Sequence, residues 1–154
     1  MANRQCIFCN IAQGKDPKTQ ILYQDAEVVV FPDHRPASTH HYLVIPRLHI
    51  KNARQLTHEH IPLVDALVRA GQQVLQEQGG STEDLRMGFH YPPLVLVNHL
   101  HLHVISPASQ LSFMSRLIFR DNSNWFASVS LSVSFVFNDK MVLVHACTRN
   151  SCPA

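Results

Sequence analysis

Residues 98–106 read NHLHLHVIS, in which His99, His101 and His103 alternate with Leu100, Leu102 and Val104. On an extended strand, residues two apart point to the same face. The three imidazoles therefore share one side, while the three branched aliphatics share the other and must pack against a covering layer. The histidine face has three competing readings: a solvated strand that happens to be histidine-rich, a metal site, or a reactive imidazole with two helpers. Successive same-face residues stand ~6.5–7 Å apart, too long a path for three consecutive positions to chelate one ion comfortably. A neutral histidine attacks phosphorus well when its second ring nitrogen donates to a fixed acceptor, and flanking rings can bind the charge that develops. That reading is favoured, with the middle residue, His101, as the natural nucleophile.

Working outward, HHYLVIP (40–46) is a second strand, stopped by Pro46. Upstream, ILYQDAEVVVFPDHRP (21–36) gives two strand-like runs around the turn Gln24-Asp25, with Pro32 and Pro36 bracketing a loop. LRMGFH (85–90) and LVLVNHLHLHVIS (94–106) add two strands with YPP between them. CIFCNIAQG (6–14) has helical spacing and is closed by Gly14. Between Thr57 and Gly79, Ile61, Val64, Leu67, Val68, Gly71, Val74 and Leu75 form one helical stripe, with Pro62 in the first turn. The order predicts an α+β domain: a mainly antiparallel sheet of about five strands, with one long and one short helix on one side. After Trp125 the pattern changes. ASVSLSVSFVF (127–137), NDK and MVLVHA (141–146) fit a β-hairpin and an aggregation-prone segment equally.

Composition narrows the function classes. The 154 residues are 45% hydrophobic and 16% charged, which is neither disordered nor fibrous, and the length suits one domain. A net charge of +2 is too mild for a nucleic-acid surface, so DNA is not an expected partner. No stretch has the apolar length of a membrane span, and the opening residues lack the apolar core of a signal peptide. A cytoplasmic protein is expected, small enough to be nuclear as well. Cys6 and Cys9 form a C-x-x-C that reads as metal or redox rather than as a structural disulfide.

HLHLHVI (99–105) resembles the His-x-His-x-His signature of the histidine triad superfamily of nucleotide hydrolases and transferases. CIFCNIAQGKDP (6–17), VVVFPDHRPASTHHYLVIPRLHI (28–50) and RMGFHYPP (86–93) match its nucleotide-binding branch in order and spacing. RMGFHYPP and FMSRLIFRDNSNWF (113–126) look most like adenosine 5′-monophosphoramidases of that branch. The resemblance covers residues 6–126 and implies a histidine triad domain over 1–126 with a divergent tail over 127–154.

The implied reaction is hydrolysis of adenosine 5′-phosphoramidates and acyl-adenylates to AMP, through an AMP–histidine intermediate on His101. By the same resemblance, His99, His103 and His41 assist at the phosphate, and His103 marks the hydrolase rather than the transferase branch. Asp33 would accept the ribose hydroxyls, although between prolines it also reads as a turn residue. Phe31, Ile7, Phe8 and Ile11 would wall the purine or simply belong to the core, and His34 is a further nucleotide contact. Cys6, Cys9, His49 and His99 match a structural zinc site, with a reduced, metal-free pair as the alternative. No cofactor is implied for catalysis, and a homodimer or higher homo-oligomer is implied as the assembly. Gly88 and Leu96 depart from the commonest member, which has Asn and Ser there; the missing hydroxyl implies a slower enzyme. These departures and the tail keep a nucleotide-binding regulator with vestigial catalysis as the alternative.

Overall fold

The computed structural model describes residues 6–121, 123–129, 134–137 and 140–143, the last two segments as backbone. Six strands form one antiparallel sheet: β1 (Tyr23–Gln24), β2 (Val28–Pro32), β3 (His40–Pro46), β4 (Arg86–His90), β5 (Leu102–Ser106) and β6 (Phe126–Ser128). Their spatial order is β1-β2-β3-β5-β4-β6. The sheet has one strand more than expected, because the short edge strand β6 pairs with β4, Ala127 lying opposite Phe89. The Val129 amide then donates to the Met87 carbonyl at 2.8 Å, so the sheet runs beyond the boundary expected at residue 126.

Three helices accompany the sheet: α1 (Ile7–Ala12), α2 (Ile61–Glu77) and α3 (Phe113–Ile118). The long helix lies where the stripe predicts it, with Pro62 in its first turn and Gly79 beyond its end at φ +81°. Its buried residues Val64, Leu67, Val68, Val74 and Leu75 meet Val28, Val30, Val44, Leu102 and Val104 in the main core. Deleting one such leucine costs about 2–5 kcal/mol. Gly71 sets the distance between helix and sheet, since a Cβ there would stand 2.7 Å from a Val104 methyl.

The helices are not all on one side. Phe8, Cys9, Ile11 and Ala12 of α1 pack with Val29, Phe31, Leu43 and Ile45, on the face opposite α2. Residues 111–119 cover the rest of that face, with Leu111 and Phe119 against Ile105 and Phe126. The continuous burial along β2 and β3 shows why: successive residues on both faces are buried, so each face requires its own cover.

The strand expected over 94–106 begins only at Leu102. The amides before it are taken by turns, Leu94 N–H donating to the Tyr91 carbonyl at 3.0 Å and His99 N–H to the Val97 carbonyl at 2.8 Å, and the Leu100 amide donates to the Ile50 carbonyl at 2.6 Å. The facing rule survives, since Leu100, Leu102 and Val104 all enter the α2 core. β7 (Ser134–Phe137) and β8 (Lys140–Leu143) pair antiparallel as a two-stranded sheet of their own. The remainder of 130–154, including Cys147 and Cys152, lies outside the described residues. No described helix is long and apolar enough to cross a membrane.

Candidate active site

The histidine face of β5 opens on a cavity of about 640 Å³, within the ~300–1,000 Å³ typical of small-molecule sites. Three of its histidines form a hydrogen-bonded row. Ala37 N–H donates to His41 Nδ1 at 3.0 Å, so the His41 proton sits on Nε2. His41 Nε2 lies 3.0 Å from His103 Nδ1, and His103 Nε2 lies 3.1 Å from His90 Nδ1. The row ends where His90 Nε2 donates to the Ile118 carbonyl at 3.1 Å. A donor at one end and an acceptor at the other leave one consistent assignment, with all three rings neutral and protonated on Nε2. Burial, the largest cause in each case, lowers the pKa of all three, that of His41 to about 4.

His101 stands beside this row, its ring 5.0 Å from that of His103. Its Nδ1 donates to the His99 carbonyl at 2.7 Å, which places the lone pair on Nε2. Burial holds its pKa below the ordinary histidine value. His101 is therefore a neutral, oriented imidazole lining the cavity. Both nitrogens of His103 and of His41 are engaged within the row, so these rings act on the site through their neighbours.

At the α1 end, Ile7, Phe8, Ile11 and Phe31 line the cavity. The Phe8 ring lies 5.3 Å from His101 and 5.6 Å from Phe31. Ile7 is 47% exposed because it faces this opening rather than the core. Asp33 sits at the end of β2, where its Oδ1 accepts the Arg35 N–H at 2.8 Å and its Oδ2 lies 3.5 Å from His41 Nε2. His34 is at the rim, with Nδ1 3.6 Å from Asp33.

His99 does not join the phosphate side. It is fully buried and points to a separate cluster with Cys6, Cys9 and His49. Its Nδ1 lies 3.5 Å from each Sγ and 3.3 Å from His49 Nδ1, and Cys9 Sγ is 3.2 Å from His49. Zinc with ~2.3 Å bonds to sulfur and ~2.0–2.1 Å bonds to nitrogen requires tetrahedral ligand separations of about 3.3–3.8 Å. The four atoms fit. His99 Nε2 donates to the Pro46 carbonyl at 2.8 Å, which frees Nδ1 for a metal. Because the His99 carbonyl holds His101, any ion bound here would be held by the same residue that orients the His101 ring.

The sequence reading missed His90, Ile118 and Phe119. Gly88 is absent from the cavity wall; a Cβ there would meet the Ala127 carbonyl and the Phe126 ring at 2.5 Å. His90, two residues on and thus on the same face, is the β4 residue that reaches the cavity, and the two-residue period was the signal for it. Leu96 lies at the rim, 91% exposed.

Known proteins resemble this chain in sequence and in fold. The family model described as scavenger mRNA decapping enzyme C-term binding matches residues 5–119. Adenosine 5′-monophosphoramidase HINT3 of Xenopus tropicalis is 48% identical over 122 residues, covering 79% of this chain and 80% of that protein. The protein of the same name from Mus musculus is 42% identical over 127 residues, covering 80% and 76%. A histidine triad protein from Clostridium difficile superposes with a TM-score of 0.64 at 27% identity, covering 68% of this chain and 92% of its own. With the triad strand, the antiparallel sheet and these relatives together, the chain belongs to the histidine triad superfamily.

Proposed function

We propose that this protein hydrolyses adenosine 5′-phosphoramidates and acyl-adenylates to AMP, with His101 as nucleophile. The observation that carries the reading is the fixed tautomer of His101: Nδ1–H held by the His99 carbonyl, Nε2 unprotonated on the cavity side. The relatives named adenosine 5′-monophosphoramidase support the substrate class. The α1 end takes the purine between Phe8, Phe31, Ile7 and Ile11, and Asp33 accepts the ribose hydroxyls.

His101 Nε2 attacks the α-phosphorus; the new P–N bond forms as the bond to the leaving amine or carboxylate breaks. An amine leaves with a proton from solvent, a carboxylate without one. The positive charge on the phosphorylated imidazole is shared through Nδ1–H to the His99 carbonyl. Water then attacks phosphorus and gives up a proton to solvent, the P–Nε2 bond breaks with its electron pair returning to Nε2, and AMP departs with neutral His101 restored. No step requires a cofactor. His103 packs edge-on against His101 and, with His41 and His90, keeps the adjacent wall neutral and rigid.

Cys6, Cys9, His49 and His99 would hold a structural zinc that stiffens the segment leading to His101. The resemblance supports a homodimer or higher homo-oligomer. The net charge of +2 favours a small nucleotide over DNA. A cytoplasmic and nuclear location is proposed, in keeping with the free thiols of Cys6 and Cys9. The test is release of AMP from an adenosine phosphoramidate by the wild type and by His101→Ala. Release by the wild type alone is expected. No release, with AMP still bound in calorimetry, would replace the reading with a nucleotide-binding regulator.

A further inference from the structure

We propose that the α3 end of the cavity is a subsite for the group leaving phosphorus, and that it selects apolar alkyl, aromatic or fatty-acyl leaving groups. The inference rests on the phosphoramidase reading and names which conjugates of AMP the site takes. The cavity has two ends on either side of His101. Phe8 marks the α1 end, 5.3 Å from the His101 ring. Phe119 marks the other, with its ring 5.1 Å from His103, 4.9 Å from His90 and 5.5 Å from His41. A nucleoside held at α1 brings its phosphate to His101, so the group displaced on attack extends towards α3.

The chemistry of that end is apolar. Ile118 and Phe119 line the cavity here, with Ser115 as the hydroxyl on α3. Leu94, also a lining residue, is tied to this helix through a turn, its N–H donating to the Tyr91 carbonyl at 3.0 Å, Tyr91 N–H to the Trp125 carbonyl at 2.7 Å and Trp125 Nε1 to the Leu117 carbonyl at 3.0 Å. The charged side chains lining the cavity are Asp16, Asp33 and Arg35. They stand on the α1–β1 connection and the β2–β3 loop, none on α3 or on residues 93–97. The nearest of them is Asp33, whose Oδ2 lies 3.5 Å from His41 Nε2, the ring 5.5 Å from Phe119. A carboxylate on the leaving group would therefore lose water here and meet a like charge, while neither α3 nor residues 93–97 offer a charged partner to a polar chain.

The apolar surface continues outward. Ile118 and Leu94 are each 38% exposed, and on α3 Phe113, Met114 and Leu117 are 76, 63 and 42% exposed. Met114 and Ile118 are four apart, as are Phe113 and Leu117, so they form one face that runs from the cavity mouth along the helix. The helix is also anchored as a wall. Its last carbonyls each accept a side-chain donor: Leu117 from Trp125 Nε1 at 3.0 Å, Ile118 from His90 at 3.1 Å and Phe119 from Arg86 at 3.1 Å. Three side chains from β4 and the segment before β6 thus fix a helix whose own apolar residues remain open. A preset apolar wall beside the reacting phosphorus binds a chain at little ordering cost.

The test measures two things. Calorimetry on His101→Asn, which cannot turn substrate over, follows the affinity of AMP O-methyl, O-butyl and O-hexyl esters. Steady-state kinetics on the wild type compares adenosine phosphoramidates of hexylamine and 5-hydroxypentylamine, leaving groups of equal basicity. Each methylene reaching α3 is expected to tighten ester binding about two- to fourfold. The hexylamine substrate is expected to show about tenfold higher kcat/KM. Adding Leu94→Ser with Ile118→Ser should flatten both series while AMP affinity stays unchanged; Leu94→Ser alone serves if the pair fails to fold. Equal affinity along the ester series, or a slope that persists in the serine variants, overturns the proposal. If no phosphoramidate is cleaved, the phosphoramidase reading fails, and the ester slope still decides the subsite.

Discussion

Replacing His90 with phenylalanine tests the histidine row directly. The ring would fit among Phe119 and Phe126, whose centroids lie 4.9 and 5.0 Å from His90. The substitution therefore removes hydrogen bonds without leaving a void. Two buried groups then lose their partners: the His103 Nε2–H, 3.1 Å from His90, and the Ile118 carbonyl, also at 3.1 Å. Each unsatisfied buried group costs about 1–3 kcal/mol, and the extra apolar ring returns part of it, so a net loss of about 2–4 kcal/mol is expected. For a chain of this length that corresponds to a fall in Tm of roughly 4–16 °C. His90→Gln presents both an acceptor and a donor and should recover at least half of the loss. Denaturant unfolding at pH 7.5 measures the stability, and nitrogen-15 spectra of the imidazoles report whether His103 keeps its Nε2–H tautomer. A His90→Phe protein with wild-type stability and an unchanged His103 tautomer would refute the row as drawn.

Cys6→Ser or Cys9→Ser should abolish zinc binding, read as bound metal per chain after purification, and a chelator should lower the wild-type Tm but not that of the variants; zinc-free wild type with a chelator-insensitive Tm would contradict the site. Gly88→Ala should cost about 1–3 kcal/mol in denaturant unfolding, because its Cβ would meet the Ala127 carbonyl and the Phe126 ring at 2.5 Å. A stability change under 0.5 kcal/mol would mean that β6 yields more easily than its pairing implies (about 0.5 being the usual range for a neutral surface change). Burial lowers the pKa values of His41, to about 4, and of His90, His101 and His103. Unfolded imidazoles take up protons near pH ~6.5. The unfolded state therefore binds more protons below that pH, so stability is full above pH ~6.5 and declines as pH falls towards ~4. Denaturant midpoints at pH 7.5, 6 and 5 should fall in that order; a constant midpoint would sink the argument.

The sequence by itself determined the parts whose information is local and periodic. Alternation placed Leu100, Leu102 and Val104 in one core and kept His103 opposite them. The stripe from Ile61 to Leu75 and the Gly at 79 fixed α2, and the middle place of His101 in the motif made it the candidate nucleophile. Tertiary structure decided what alternation cannot say: which distant groups the faces meet. His99 and His103 share a sequence pattern, yet one turns to Cys6, Cys9 and His49 and the other to His41 and His90. That division depends on α1 and β4 approaching β5 from opposite sides, over sequence separations of 93 residues for Cys6–His99 and 13 for His90–His103. Likewise α3 carries exposed phenylalanine, methionine and leucine that no amphipathic rule would assign to a helix in water. It is held by Arg86, His90 and Trp125, because a six-residue helix cannot persist on its own propensity and must take its stability from tertiary contacts.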